Sequence, residues 1–308
     1  MRRPLLALAA SLSTLAHAAE PVVHNVSMDF VQFWDTVRDK PKAEQLAQFK
    51  ARIAPGFPGF YQIARFNGSV TQEKQDAKIQ RAIDDFPAIR EGYLVKARNF
   101  ETELPKNIAS FKATFPDFVS NHEIYVVHSL GEMDGGIRQI GGKDYLIFGI
   151  DGMVKYHGAG SDSPFFHHEL FHTYHSAMSE CDEANWVSLW REGLAVYVAK
   201  VLNPDADNDQ LLLEIPDHMA DRTAAVLPAA LEQLEQVLDN KDSESYSGLF
   251  LRAGDKTALP ARRGYYLGYL VAQEAGKTRS VQELAKLGCA PVRELVHNTV
   301  HTLRAKAR

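Results

Sequence analysis

The chain has 308 residues, of which 45% are hydrophobic and 24% are charged, and its formal net charge is −5. A chain of this size and apolar content can bury a substantial core, as one large domain or as two lobes that share a cleft. The net charge is negative and no block of like charge occurs, so the sequence shows no basic segment of the kind that binds DNA or RNA. We therefore expect no nucleic-acid partner.

The N-terminus has the pattern of a cleavable secretory signal peptide. Arg2 and Arg3 precede an apolar run over residues 5–15, and Ala-His-Ala follows at 16–18, in the order typical of such signals. The run is shorter than the roughly 20 residues that span a bilayer, and no later segment is apolar for long enough. We expect residues 1–18 to be removed, leaving a periplasmic or secreted protein without a membrane span. The alternative is an N-terminal amphipathic helix.

Residues 19–118 are expected to form a helical region. Apolar residues recur there at three- and four-residue spacing, and a segment with two prolines and two glycines at 55–59 interrupts the pattern. The spacing predicts helices over residues 29–38, 43–53, 73–85 and 88–103.

The pattern changes near residue 119, where we place the start of a second region that continues to residue 308. Residues 123–128 and 144–149 are β-branched and aromatic runs joined by the glycine-rich segment 131–142, which predicts two strands and a loop. Helical patterns follow at 164–178, 186–201, 217–238, 262–275, 281–287 and 292–304. Helices, a small sheet and further helices predict a helix-dominated α+β fold.

The helix predicted from residue 164 contains the spacing His168-Glu169-x-x-His172. Residues four apart lie on one face of a helix, so both imidazoles can reach one cation. Glu169 lies about 100° away around the helix, near enough to contact a water beside that cation. These groups indicate a metal-assisted hydrolase. The alternative is a chance match in a histidine-rich helix, since the chain has 12 histidines.

A catalytic zinc site needs a third protein ligand and one open position. His175 is an unsuitable third ligand, because in an unbroken helix it lies about 10 Å along the axis from His168. His175 and His167 are therefore expected beside the site or at the surface. Glu192 is the better candidate, since it is an acidic residue in an apolar helix and a buried carboxylate needs a partner. The alternative is an ion pair between Glu192 and Arg191.

Taken together, His168-Glu169-Leu170-Phe171-His172 and Glu192-Gly193-Leu194-Ala195 resemble the zincin superfamily, in particular its gluzincin branch. They are also similar to a bacterial group of predicted zinc-dependent proteases, as is the weaker segment 264–269. The resemblance covers roughly residues 123–272. It implies a small sheet with the active-site helix beneath it, and one Zn²⁺ per chain held by His168, His172 and Glu192.

The same resemblance implies how the site works. Zinc-activated water hydrolyses a peptide bond with Glu169 as general base, and the strand at 144–150 is an edge strand that pairs with an extended substrate, unless it is simply core. The gluzincin pattern has an acidic residue four positions after the glutamate ligand, where this chain has Val196. Histidine orientation must then come from elsewhere. Candidates in the connecting segment are Asp182, Glu183 and Asn185.

Two further predictions concern single side chains. Tyr265, with Tyr266 and Tyr269 behind it, is the candidate donor to the oxyanion of the transition state, and the alternative is a packed aromatic helix face. Cys181 and Cys289 can pair in an oxidising compartment or remain separate buried thiols.

The predicted function is an exported zinc metallopeptidase that acts on a peptide or protein substrate. The alternatives are a zinc hydrolase of non-peptide amides or esters, and a non-catalytic, zinc-stabilised binding module of the cell envelope. Nothing in the sequence indicates the oligomeric state, the substrate or whether cleavage is internal or terminal.

Overall fold

The computed structural model describes residues 20–157 and 160–307, so the expected signal peptide at 1–18 lies outside the described residues. Helices predominate and one small sheet accompanies them, in agreement with an α+β fold. The helices are α1 (Ser27–Val37), α2 (Lys42–Arg52), α3 (Gln72–Thr114), α4 (Ile150–Tyr156), α5 (Ser163–Tyr174), α6 (Asn185–Leu202), α7 (Met219–Ala225), α8 (Leu227–Val237), α9 (Ser243–Phe250), α10 (Gly264–Ala275), α11 (Val281–Ala285) and α12 (Cys289–Ala307). None of these helices has both the length and the apolar character that crossing a bilayer requires.

The sheet has four strands in the order β1-β2-β4-β3, which are β1 (Val23–Asn25), β2 (Glu123–Val127), β3 (Gly135–Ile140) and β4 (Lys143–Gly149). β4 pairs with β2 in parallel and with β3 in antiparallel fashion. The prediction that the strand at 144–150 is an edge strand is therefore wrong. β4 lies inside the sheet because the segment expected to be a loop forms β3, and β3 is the edge.

The long helix α3 replaces two helices that the sequence predicts. It runs for 43 residues and contains both Pro87 and Pro105, although proline removes a helix hydrogen bond and crowds the preceding turn. The apolar stripe continues across both prolines, with Phe86, Phe100 and Phe111 all buried. Burial of this continuous face outweighs the local cost of the prolines.

The long helix also joins the N-terminal region to the sheet and to α5. The ring centroid of Phe100 lies 5.0 Å from that of Phe148 in β4 and 5.1 Å from that of Phe166 in α5. Edge-to-face aromatic pairs at this distance add to the stability gained by burial. The regions on either side of residue 118 therefore share one hydrophobic core.

The contact between α6 and α10 is a backbone contact. A Cβ atom on Gly193 would overlap the backbone of Gly268, and a Cβ atom on Gly268 would overlap the carbonyl oxygen of Leu189. The absence of side chains at both positions lets the two helix axes approach closely. This confirms the close approach that the glycine after Glu192 predicts.

The C-terminal half differs from its predicted elements in three places. The helix predicted at 217–238 is two helices, α7 and α8, and Pro228 lies in the first turn of the second. The short helices α4 and α9 were not predicted.

Cys181 and Cys289 form a disulfide that joins the segment between α5 and α6 to the start of α12.

Candidate metal centre

Helix α5 presents its histidines on one side and is anchored by apolar side chains on the other. Pro164 lies in its first turn, where a missing N–H costs nothing. Phe166, Leu170 and Phe171 are almost completely buried. This anchoring fixes the rotation of α5.

Three donor atoms from α5 and α6 converge at one point. The Nε2 atoms of His168 and His172 are 2.9 Å apart, and each lies 3.4 Å from Oε2 of Glu192. A tetrahedral site with metal–ligand bonds of about 2.0–2.2 Å has donor atoms roughly 3.4 Å apart. The set of two imidazoles and a carboxylate therefore fits zinc in both chemistry and spacing, with one position left open. Within the described ranges this is the one such cluster of metal-ligating side chains.

The three side chains of the cluster shift one another's pKa, and the two imidazoles shift in opposite directions. Burial lowers the pKa of His168, which keeps that imidazole neutral. Burial opposes protonation of His172, but the nearby Glu192 and Glu169 outweigh it and raise the pKa of His172. Burial disfavours ionisation of Glu192, but the two histidines outweigh it and hold the pKa of this carboxyl well below its usual range. The ion pair with Arg191 that the sequence left open does not form among residues 20–157 and 160–307.

Glu169 lies beside the cluster without belonging to it. Its side chain is buried, and Oε2 has no hydrogen-bond partner in the described part of the chain. Burial raises the pKa of Glu169 to about 7. A carboxylate with a free oxygen and a pKa near neutrality can accept and return a proton.

A cavity of about 610 Å³ opens above these groups, a size typical of ligand sites. One wall is β3, and its position depends on Gly135. A Cβ atom on Gly135 would overlap the ring of Phe165 in α5 and lie 3.2 Å from Cγ of Glu169. The edge strand can therefore lie directly against the helix that carries His168 and His172.

The structure separates the three candidate tyrosines. Tyr265 lines the cavity, and the Cζ atom of Arg262 lies 3.8 Å above its ring centroid. All three tyrosines pack with the apolar cluster around Leu213, but Tyr266 and Tyr269 do not line the cavity. Burial, followed by the nearby Glu192, raises the pKa of Tyr265, so its hydroxyl stays protonated and can donate a hydrogen bond.

Sequence reasoning missed other residues of the cavity wall. Tyr246 belongs to the unpredicted helix α9 and is a second phenol near Glu192. Arg191, Arg252 and Arg262 line the same cavity. In the sequence these arginines stand out only because they lie close to predicted site residues or helices. That position does not show that they line a cavity.

The histidine-orienting candidates of the connecting segment do not reach the site. Asp182 pairs with Lys241, and Asn185 donates to the Val237 carbonyl and to Ser245. Glu183 is exposed and has no contact with either histidine. The prediction that these residues orient the histidines is not supported.

The two remaining histidines of α5 are buried rather than exposed. His167 accepts a hydrogen bond from Asn203 through Nδ1 at 2.8 Å, and burial lowers its pKa to about 4. His175 packs against Phe171 with a ring separation of 4.8 Å. Neither belongs to the donor cluster, as the helix geometry predicts.

Comparison of the chain with protein-family models, with curated proteins and with solved structures finds no match. The resemblance to gluzincins therefore depends on the two sequence motifs alone. The geometry of the site is the independent observation that bears on function.

Proposed function

We propose that this chain is an exported zinc-dependent peptidase whose metal ligands are His168, His172 and Glu192. The observation that carries the proposal is the convergence of these three side chains at tetrahedral spacing beside a buried carboxylate. A purely structural zinc site has no open position and no need of an adjacent base. Glu169, buried at the floor of an open cavity, favours catalysis over a structural role.

Zinc, when bound, supplies a Lewis acid that polarises a carbonyl and lowers the pKa of water from about 9 toward about 7. Glu169 accepts a proton from the attacking water through its free carboxylate oxygen and delivers it to the leaving amine. Tyr265 donates a hydrogen bond to the oxygen on which negative charge develops. Tyr246, a second phenol that lines the cavity near Glu192, is the alternative hydrogen-bond donor.

The edge strand β3 gives the substrate a binding mode. Its outer side has no neighbouring strand within the described chain, and residues 135–138 of β3 line the cavity. An extended peptide can pair with the free backbone groups of such an edge. Backbone pairing along β3 would hold the scissile bond over the donor cluster, and it favours a peptide over a compact ester or amide substrate.

Metal analysis of the wild type and two variants tests the proposal. We expect about one zinc per chain in the purified mature protein, a sharply reduced content in Glu192→Ala, and an unchanged content in Glu183→Ala. The last variant removes an exposed glutamate of the segment before α6 and is the matched control. Elemental analysis after supplementation with zinc is the measurement, and a zinc-free wild type would contradict the metal site.

Hydrolysis assays then test the base. Glu169→Gln should keep its zinc and lose peptide hydrolysis by about 10²–10⁴-fold, because an amide cannot accept the proton. Turnover of a peptide library by wild type and variant at equal rates would exclude Glu169 as the base. Turnover of amides or esters without any peptide cleavage would support the non-peptide alternative instead.

A further inference from the structure

The walls of the cavity carry four arginines in a protein whose net charge is negative. Arg138, Arg191, Arg252 and Arg262 all line it, while the chain as a whole has a formal charge of −5. The same lining has four carboxylates, those of Glu132, Asp134, Glu169 and Glu192, and an arginine attracts anionic ligands only where no carboxylate offsets its charge. What matters is whether acidic side chains of the cavity already neutralise these arginines.

Two acidic residues of the wall, Glu132 and Asp134, have basic partners outside the cavity. Glu132 accepts from Nη1 of Arg65 at 3.2 Å and lies 3.5 Å from Nζ of Lys78, neither of which lines the cavity. Asp134 lies 3.4 Å from Nε2 of His157. The other two cavity carboxylates, Glu169 and Glu192, face the donor cluster. Glu132 and Asp134 also lie within 4 Å of Arg138 and Arg252, so of the four arginines Arg191 and Arg262 are the two without a carboxylate partner in the described residues.

Arg262 is held in position by an unusual local geometry. Its φ angle is +64°, in the left-handed region that residues other than glycine rarely adopt. Its Nη1 donates to the carbonyls of Leu212 and Ile215, and its guanidinium stacks on Tyr265. These contacts hold the planar group at the cavity wall and leave its other N–H groups free for a ligand.

Arg191 is the second free cation of the wall. It precedes the ligand Glu192 in α6 and is exposed. Neither Arg191 nor Arg262 forms an ion pair with any residue in 20–157 or 160–307. Arg252 and Arg138 differ, since each has a carboxylate within 4 Å, Asp134 at 3.9 Å and Glu132 at 3.7 Å respectively.

We propose that Arg262 and Arg191 form a subsite for a carboxylate of the substrate, close to the bond that is cleaved. The proposal rests on the peptidase function and names its substrate class, peptides that carry an acidic side chain or a free C-terminal carboxylate next to the scissile bond. Arginine suits this role because its planar fork donates two parallel hydrogen bonds to a carboxylate. The anchored Arg262 is the positioning element, and the exposed Arg191 supplies a second guanidinium at the wall of the same cavity.

The test compares matched peptides on the zinc-loaded protein. One pair differs by glutamate or glutamine beside the scissile bond, and a second pair has a free or an amidated C-terminus. We expect kcat/KM to be at least tenfold higher for one anionic member over its neutral partner, and this preference to fall as salt screens the charges. The pair that shows it identifies the source of the carboxylate.

Two variants connect the preference to the arginines. Arg191→Gln and Arg262→Gln should each bring the anionic-to-neutral ratio toward one, while Arg81→Gln, an exposed arginine of α3 outside the cavity, should keep it. Arg191→Gln removes no packing contact of the core, so it remains informative if Arg262→Gln unfolds. Equal kcat/KM for both members of both pairs, or a preference that survives both variants, would overturn the subsite.

A binding measurement separates failure of the subsite from failure of the peptidase. Calorimetric titration of the same peptides into metal-free protein should show tighter binding of the anionic member, lost in Arg191→Gln. If no peptide is cleaved but this difference is present, the subsite stands and the peptidase does not. If peptides are cleaved without any charge preference in binding or turnover, the peptidase stands and the subsite is wrong.

Discussion

Arg263 is a fully buried cation immediately before α10, and it fixes the loop that carries Arg262 to the cavity wall, beside Tyr265 in the first turn of α10. Its guanidinium donates to Oδ2 of Asp255 at 2.8 Å and to the carbonyls of Gly248 and Pro260. Removing one member of a buried ion pair leaves the other charge without compensation in a poorly solvated site.

Asp255→Ala should therefore lower the free energy of unfolding by about 3–5 kcal/mol, measured by urea denaturation. Asp255→Asn should cost less, because the amide oxygen can still accept from Arg263. The control is Asp217→Ala, which breaks an exposed pair with Arg222 and should cost about 1 kcal/mol at most. Equal losses for Asp255→Ala and Asp217→Ala would show that the buried pair contributes no special stability.

The residues around the cavity differ in how far the sequence predicts their roles. His168 and His172 were predictable because their relation is local, four residues along one helix, and the structure brings them together as expected. Glu192 followed from the cost of burying a charge. The role of Arg262 depends on carbonyls about 50 residues earlier in the chain, and no spacing rule connects such distant segments.

At the scale of elements, the crossing of α6 and α10 couples the proposed metal ligand Glu192 to the cavity-wall residue Tyr265. The two helices touch through the backbone at Gly193 and Gly268. An added methyl group there meets backbone atoms, which cannot move aside as a flexible side chain does. The helices would have to separate, and Glu192 would move away from the histidines.

Gly193→Ala should accordingly lower the free energy of unfolding by about 1–3 kcal/mol, the usual cost of overpacking, and weaken zinc binding. The gain in helix propensity of up to about 1 kcal/mol offsets only part of this. The matched control is Gly288→Ala, where a Cβ atom meets no neighbour within 4 Å and stability should change little. Zinc titration and urea denaturation are the measurements, and equal behaviour of both variants would contradict a tight crossing.

The strands show why element prediction failed at the site. β2 and β4 are runs of buried β-branched and aromatic residues, which the sequence pattern identifies. β3 reads Gly-Gly-Ile-Arg-Gln-Ile and only its last residue is buried, so its composition favours a loop. The backbone hydrogen bonds to β4 make this segment a strand, and those bonds cannot be read from the composition of β3. The glycines make the segment look like a loop in the sequence, but Gly135 is required in the structure because a side chain at this position would collide with α5.

At the scale of the whole molecule, the disulfide spans a large part of the fold. Cys181 and Cys289 are 108 residues apart, and the closed loop contains α6, α8 and α10. The sequence left open whether these cysteines pair, because their distance in space depends on how α12 packs against the rest. A covalent link of this span removes many conformations from the unfolded chain.

Loss of this link should destabilise the protein by about 2–5 kcal/mol. Urea denaturation of the oxidised protein, with and without a reductant, is the measurement, and the Cys181→Ser/Cys289→Ser double variant should match the reduced wild type. The reductant should leave the double variant unchanged, which controls for effects on other groups. Coincident curves for oxidised and reduced wild type would mean that the packing of α12 alone holds the segment between α5 and α6. Because that segment joins the two helices that carry the proposed metal ligands, the disulfide is expected to stabilise the site as well as the fold.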